Sequence, residues 1–379
     1  SNLVTRTGDE EIQWTPVAFK TDLLLEPSHG LKIEQAEFSS GFGRLTAAGG
    51  AEELSTTFQF DLTELNRQLG QIMDTGEMVL AGQVAGNLDL KRPDPEQVEL
   101  STTFKAENLN YQAADRQWQS DTLTFDAAGR LKLTDSQPDE VLISNLKINA
   151  DDKIMAAANG RSRLSADAFE GQLDLEQADL AYLNRQLKNL GLIADEQYTG
   201  TARLRIKVHK NDAQAPLVSE GDMVLRDAHV GPTLVSAEDM TLQWSDLSYA
   251  FDTGQLQIKT AKLAGSMANL VIDALDCRLA EPLQLGGNFE GNADLAALLE
   301  VMARVGGQEE PPAVKGRLAF KGRGESTAEQ VHLTSELRID DLEILTAEQP
   351  VREKQVTFTF DSTLNLEQDV LDIARLQLD

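Results

Sequence analysis

The sequence is poor in cysteine, aromatic residues and basic residues. Its single cysteine, Cys277, excludes an internal disulfide framework. Aromatic residues make up only 5% of the chain, which disfavours a carbohydrate-binding platform of stacked rings; core packing is the expected role of Trp118, Trp244 and Phe358. Lys and Arg number 34 against 62 Asp and Glu, a formal charge of -28. Nucleic acid and anionic membrane surfaces are therefore not expected partners, because both bind clustered cations.

Membrane-spanning and catalytic patterns are also missing from the sequence. No stretch reaches the roughly 18 to 20 apolar residues that a membrane span needs, and no signal peptide precedes the first strand. The histidines are scattered singly, so no metal site is predicted; they are His29, His209, His229 and His332. Two Asp-Thr-Gly triplets, at 74–76 and 252–254, resemble the aspartic-protease triplet, but one follows a helix and the other sits in a hairpin turn. We therefore predict neither an enzyme nor a cofactor.

Recurrence is the strongest feature that the sequence does have. The segment Asp61 to Leu69, DLTELNRQL, returns as DLAYLNRQL from Asp179 and, more loosely, as DLAALLEVM from Asp294. The spacings between the three Asp residues are 118 and 115 positions. Two further markers follow each Asp at nearly constant distances: a glycine (Gly82, Gly200, Gly316) and an Asn or Asp (Asn108, Asp227, Asp341). A repeat of about 117 residues is predicted.

Each recurring segment is expected to be a short amphipathic helix, within 61–73, 179–190 and 294–304. Asp61 is suited to cap the first-turn amides, and Glu64 completes a capping-box pattern. Apolar residues recur at helical spacing in every copy and predict a core-facing stripe. The stripe consists of Leu62, Leu65, Leu69, Leu180, Leu183, Leu187, Leu295, Leu298 and Met302.

Between the helices, alternation of apolar and polar residues predicts β-strands. In 203–209, for example, Leu204, Ile206 and Val208 share one face, and the basic row Arg203, Arg205, Lys207 shares the other. Such a basic row is expected to be a solvated face paired with acids on neighbouring strands, and less often a lipid-phosphate site. The apolar residues stand at even positions up to Trp244 and at odd positions from Leu247 onward. This switch predicts a bulge near 245–246.

The expected architecture is mainly β: an elongated repeat array of antiparallel meanders forming a curled sheet or groove. Residues 1–81 would be the C-terminal part of a first repeat with its helix, 82–199 a second repeat, 200–315 a third and 316–379 a truncated fourth. Each full repeat would supply about six strands. About 19 strands in one sheet would extend on the order of 90 Å.

The apolar side of this sheet is the candidate functional surface. Its predicted lining residues are Leu88, Leu90, Leu131, Leu133, Leu173, Leu175, Leu204, Ile206, Val208, Leu242, Trp244, Phe358 and Phe360. Acyl chains of phospholipids could lie against such a surface, gaining about 0.8 kcal/mol per buried methylene. Alternatively the apolar faces meet one another, and the protein is a structural or adhesive scaffold with a closed, dry core.

The order of elements resembles that of the AsmA-like and TamB-like envelope proteins: several strands, then the D-L-x-x-L-x-x-x-L segment, then a strand that opens with glycine. The resemblance is carried by 61–69 with Gly82, 179–187 with Gly200 and 294–302 with Gly316. It implies a β-groove protein of the bacterial periplasm, held by a membrane anchor outside this segment, that conducts phospholipid between membranes. Envelope membrane proteins would be further partners, and the family has no catalytic residues to transfer.

Overall fold

A computed structural model describes residues 4–7, 10–13, 16–26, 30–50, 52–71, 76, 78–114, 116–135, 137–193, 198–230, 233–236, 239–278, 284–305, 313–327, 329–345, 350–365 and 370–378. The described chain is mainly β, as predicted, and its strand pairings within each unit are antiparallel. It divides into two compact units, Ser1–Glu196 and Gln197–Asp379. The predicted repeat boundaries, after residues 81, 199 and 315, stay predictions.

Unit 1 is built on a ten-stranded antiparallel meander, in which each strand pairs with the next one along the chain. A separate hairpin, β1 and β2, precedes it. The strands are β1 (Val4–Thr7), β2 (Glu10–Gln13), β3 (Ala18–Glu26), β4 (Gly30–Ser40), β5 (Gly43–Gly49), β6 (Glu53–Asp61), β7 (Val79–Asp94), β8 (Gln97–Ala113), β9 (Arg116–Thr134), β10 (Gln137–Ala150), β11 (Ile154–Arg163) and β12 (Ala168–Asp179).

Unit 2 is a second meander of the same kind. Its strands are β13 (Tyr198–Lys210), β14 (Leu217–Val230), β15 (Thr233–Ser236), β16 (Met240–Ala250), β17 (Gln255–Ala264), β18 (Ala268–Arg278), β19 (Gln284–Asp294), β20 (Val314–Ser326), β21 (Gln330–Ile344), β22 (Val351–Asn365) and β23 (Val370–Leu378). The short β15 and the longer β16 share one edge of β14. The strand predicted over 203–209 lies within β13. β1, β2 and β15 are each four residues long, too short to show alternation.

Three helices follow strands at the predicted places: α1 (Leu62–Leu69), α2 (Leu180–Asn189) and α3 (Leu295–Val305). α1 packs on β7, α2 on β9 and β12, and α3 on β19 and β20. α1 is shorter than predicted, since it ends before Gly70, a residue with low helix propensity. No helix in the described part of the chain has the length and apolar character needed to cross a bilayer.

Each helix begins at an Asp that ends a strand, and the capping prediction is confirmed in part. Asp61, Asp179 and Asp294 each accept a hydrogen bond from the amide three residues later, over 2.9 to 3.0 Å. The prediction of a full capping box at Asp61 is wrong. The Glu64 carboxylate accepts hydrogen bonds from Arg67 and Gln68, and the Asp61 amide already donates to the Phe42 carbonyl oxygen at 2.8 Å.

The other two repeat markers face each other across neighbouring strands. Gly200 has φ 114° and Asp227 has φ 49°, and the pairing of β13 with β14 shifts register beside them. A side chain at Gly200 would approach the carbonyl oxygen of Asp227 to 2.6 Å, so glycine is required there. Positive φ angles also occur at Gly82 with Asn108 and at Gly316 with Asp341. The recurring sequence therefore corresponds to a recurring β-bulge.

The buried hydrophobic residues are nearly all small. Within the described residues, the buried hydrophobic side chains are those of eight alanines, Tyr182 and Cys277. Tyr182 is thus the only large side chain among them, and the leucines of the predicted helix stripe are half-buried. The side chain of Met302 lies outside the described residues. A core of large aliphatic side chains, usual in globular domains, is absent from the described parts of both units.

Candidate functional site

One face of the unit 1 sheet is apolar across its strands. Residues that pair directly across strands point to the same face. Leu90 pairs with Leu100, Leu131 with Val98 and Val141, and Leu173 with Ala158. By this register the unit 1 residues that were predicted as lining share one face: Leu88, Leu90, Leu131, Leu133, Leu173 and Leu175. The stacked rings of Phe104 and Phe125, 4.8 Å apart, lie on the same face and were not predicted.

The predicted lining residues of unit 2 also share one face. Leu204 pairs with Met223, which pairs with Leu242, and Phe358 pairs with Leu337. The lining prediction for this unit comprised Leu204, Ile206, Val208, Leu242, Trp244, Phe358 and Phe360, and register places them together. The predicted bulge after Trp244 is present: Asp246 has φ 47°, and the register of β14 with β16 shifts there. The bulge returns Leu247 and Tyr249 to the face of Trp244.

The opposite faces carry the charges. Lys207 pairs with Glu220 across β13 and β14 at 3.0 Å, as predicted for the basic row. Arg161 on β11 forms a similar cross-strand pair with Glu140 on β10, and Arg226 on β14 pairs with Asp239, the residue before β16; both distances are 2.6 Å. Such exposed pairs contribute little stability each. They place charged side chains on the face opposite the apolar one in each unit.

Large side chains of the apolar faces are only partly covered. None of the thirteen predicted lining residues is buried, and Leu173 is 41% exposed. Other residues of the unit 1 face are similarly open, among them Leu100 at 45% and Ile143 at 42%. A contiguous, exposed apolar surface marks an interaction site more often than a structural face. The apolar faces are therefore the candidate functional surfaces.

Two depressions lie mainly on the polar faces instead. One, of about 500 Å³, is bordered in unit 2 by Arg205, Lys207 and Lys262. The other, of about 480 Å³, is bordered in unit 1 by Lys105, Lys147 and Glu176. Both have mixed charges at their rims, so neither selects a ligand of one sign.

A buried polar cluster joins α2 to β9. The Gln186 side chain is 1% exposed; its Nε2 donates to the Gln119 carbonyl oxygen at 2.6 Å, and its Oε1 accepts from the Gln119 amide at 3.4 Å. β10 stops pairing with β9 at Leu123, so this part of β9 has no strand on that side. The carboxamide of Gln186 takes the place of a neighbouring strand. The hydroxyl of Tyr182 donates to the same carbonyl oxygen at 3.5 Å.

Asp151 extends this cluster. Its carboxylate accepts from Ser120 Oγ at 3.0 Å and from the Thr122 amide at 2.7 Å. Burial alone would raise the pKa of the Asp151 carboxyl, but the hydrogen bonds from the Thr122 amide and the Ser120 hydroxyl help to hold the pKa below its ordinary value. Burial, together with the nearby Asp151 carboxylate, raises the pKa of the Tyr182 hydroxyl. The cluster fastens α2 to the sheet.

The equivalent residue in α1 is Gln68, which is 3% exposed and donates to Glu64 Oε1 at 2.9 Å. Hydrogen bonds from Arg67 and then Gln68 lower the pKa of Glu64 to about 2. Sequence reasoning missed Gln68 and Gln186, although both belong to the shared NRQL of the two helices. That shared glutamine beside the leucine stripe was the available signal.

No metal centre accompanies these features in the described part of the chain, where no three His, Cys, Asp or Glu side chains are grouped to hold an ion. Asp74 and His29 lie outside the described residues. The geometry defines an antiparallel β protein whose two units each have an apolar and a charged sheet face. No protein-family model, curated protein or solved structure matches the chain.

Proposed function

We propose that the protein binds the acyl chains of phospholipids along the apolar faces of its sheets and conducts them passively. The observation that carries the proposal is the continuity of each apolar face across its strands while its large side chains remain partly exposed. Burial of methylenes against such a face is favourable by about 0.8 kcal/mol each. Head groups would stay in water, and no side chain would react.

The competing function is a structural or adhesive scaffold with a closed, dry core. In such a core, large apolar side chains would be buried by one another to native packing density. The buried hydrophobics in the described residues are nearly all alanines, and Leu100, Ile143 and Leu173 are more than one-third exposed. These exposures support an open surface over a closed core.

Repetition supports the same proposal. The Asp caps recur at spacings of 118 and 115 residues, and the positive-φ glycines and the positive-φ Asn or Asp residues recur with them at nearly the same spacings. We propose that the repeats of about 117 residues are tandem copies of one β-groove module, as in the AsmA-like and TamB-like proteins. A place in the bacterial periplasm, a membrane anchor and envelope partners belong to this proposal and rest on the resemblance.

The decisive experiment places charge on the apolar face of unit 2. In the double variant Ile206→Asp and Val208→Asp, two carboxylates would interrupt the face on β13, where an acyl chain cannot solvate them. We expect the phospholipid extracted from the purified protein, quantified by mass spectrometry, to fall severalfold. Circular dichroism and the urea midpoint check that the variant is folded.

The matched control adds the same two charges to the opposite face of the same unit. Gln243 and Ser245 alternate with Leu242 and Trp244 on β16, and Gln243 pairs with Lys262. The variant Gln243→Asp and Ser245→Asp is expected to retain its lipid. Absence of lipid from the unmodified protein, or equal loss in both folded variants, would refute the proposal.

A further inference from the structure

The apolar face of unit 1 is not uniform, because one strand contributes only small side chains to its middle. On β11 the residues of this face between Ile154 and Ser162 are Ala156, Ala158 and Gly160. The adjacent strands carry large side chains at most of the paired positions: Ile143, Leu146 and Ile148 on β10, and Phe169, Leu173 and Leu175 on β12. Gly171, opposite Gly160, is a gap in the β12 wall. The sheet therefore has a furrow one strand wide, with β11 as its floor.

Cross-strand register fixes the walls of this furrow. Ala158 lies between Leu146 and Leu173, and Ala156 lies between Ile148 and Leu175. The side chains that form the walls are accessible to solvent: Ile148 is 36% exposed and Leu173 is 41% exposed. The wall positions and the floor present only hydrocarbon from their side chains, so a ligand in the furrow has no side-chain hydrogen-bond partner until Ser162.

The two ends of the furrow differ. At the start of β11, Ala150 and Ala178 are 2% and 1% exposed, and α2 runs from the end of β12 to β9, past the ends of the strands between them. Gln186 and Tyr182 hold the helix there through Gln119. At the other end, Phe169 is 37% exposed and Leu164 50%. The furrow is closed beside α2 and open beside the turn that joins β11 to β12.

The length and width of the furrow decide which ligand can occupy it. From Ala156 to Ser162 a strand rises about 20 Å, and the two walls are about 10 Å apart between backbones. One leaflet of a bilayer core is about 15 Å deep, so a single membrane-lipid chain fits the length. The furrow area, roughly 200 Å², is far below the ~800 Å² per partner of a stable protein interface. A second copy of the chain would bury too little here.

We infer that β11 is the floor of a subsite for one acyl chain, with the methyl end beside α2 and the ester end at the turn of residues 164–167. This inference rests on the proposed function and makes it specific in place and direction. The chain lies parallel to β11 and not across the strands. α2 then acts as the stop that sets how deep the chain enters.

Photochemical labelling tests the direction. The probe is a phosphatidylcholine that carries a diazirine on one palmitoyl chain, either near the methyl end or near the ester, and crosslinks are mapped by mass spectrometry. We expect the methyl-end probe to label residues 146–158 and 173–178, and the ester-end probe to label 160–169. Equal labelling of both groups by both probes would overturn the direction.

A substitution in the floor tests the place. Ala158→Phe puts a ring between Leu146 and Leu173, whereas Ala157→Phe puts the same ring on the opposite face of the same strand. We expect labelling of β10 to β12 to fall at least tenfold in the first variant and to change less than twofold in the second. Because the labelling map is also recorded on the unmodified protein, it remains decisive if Ala158→Phe fails to fold.

The outcomes separate this inference from the proposed function. Lipid in the unmodified protein with labels only outside β10 to β12 would overturn the subsite and leave acyl-chain binding in place. A chain without any bound or crosslinked lipid would overturn both. Loss of labelling in Ala158→Phe, with total lipid only partly reduced, would support both.

Discussion

Gly82 and Asn108 face each other on β7 and β8, and both have positive φ angles, 115° and 52°. A side chain on Gly82 would come within 2.7 Å of the Asn108 carbonyl oxygen. Gly200 with Asp227 repeats this arrangement in unit 2. The bulge depends on a residue without Cβ on one strand and on a residue that tolerates the left-handed region on the other.

Replacing the bulge glycine should therefore destabilise the protein. Gly200→Ala forces a Cβ to within 2.6 Å of a backbone oxygen and into a backbone conformation that costs about 1–3 kcal/mol. We expect a lower urea midpoint for unit 2. Gly324→Ala is the control, because nothing lies within 4 Å of its added Cβ. Equal midpoints for the two variants would contradict the account.

The buried carboxamide of Gln186 should contribute to stability through the β9 backbone. Gln186→Leu keeps the size of the side chain but removes both hydrogen bonds to Gln119, and an unsatisfied buried group costs roughly 1–3 kcal/mol. We expect faster amide exchange in α2 and a lower thermal midpoint. Ala181→Gln, at an exposed position of the same helix, should leave both quantities unchanged. A more stable Gln186→Leu would show that apolar packing serves better here.

The cap of α2 can be separated from the charge that accompanies it. Asp179 accepts from the Tyr182 amide at 3.0 Å and pairs with Lys153 at 3.2 Å. We expect Asp179→Ala to lower the free energy of unfolding by about 1 kcal/mol, whereas Asp179→Asn keeps the capping oxygen and should lower it much less. Urea denaturation measures both. Similar losses in the two variants would assign the effect to the Lys153 pair.

Low pH should weaken the attachment of α2 to the sheet. The pKa of Asp179 is lowered by the Tyr182 amide, and that of Asp151 is lowered because its hydrogen bonds outweigh its burial. Groups whose pKa is lowered by folding stabilise the protein at pH values above the ordinary Asp pKa of about 3.9, and this stabilisation is lost as the pH falls through the lowered pKa. We expect the exchange protection of α2, corrected for intrinsic rates, to fall below about pH 4.

A variant at Asp151 checks the source of this pH dependence. Asp151→Asn should flatten the loss of α2 protection, since Asn does not titrate. Asp121→Asn removes an exposed carboxylate on the neighbouring strand β9 and should leave the profile as it is. If Asp151→Asn leaves the pH dependence of α2 protection unchanged, Asp151 is not its source.

The sequence predicted the strands and their faces well, because alternation acts over each strand separately. Leu204, Ile206 and Val208 lie on one face for that reason, and so do Leu88 and Leu90. Cross-strand register cannot be predicted from one strand, so Phe104 and Phe125 were not placed beside the predicted leucines. The degree of exposure was also beyond prediction, since half-buried strands have the same pattern in an open sheet and in a sandwich.

Polar contacts at the helices were harder to predict from the sequence than the strands. The D-x-x-E pattern at Asp61 suggested a capping box, but the amide of Asp61 was already bonded to the Phe42 carbonyl oxygen from a neighbouring turn. The burial of Gln186 depends on β9 extending beyond β10, which involves residues almost seventy positions away. Local sequence cannot show such a contact, although the repeated NRQL indicated that the position matters.

Pairing of each long strand with its successor within a unit has a consequence for how the chain acquires its structure. Each hairpin closes a short loop, and the next strand then adds to an existing edge, so little chain entropy is lost at any one step. A chain of this kind can fold progressively from its N-terminal end while the rest is still being synthesised. It does not have to wait for distant segments to meet.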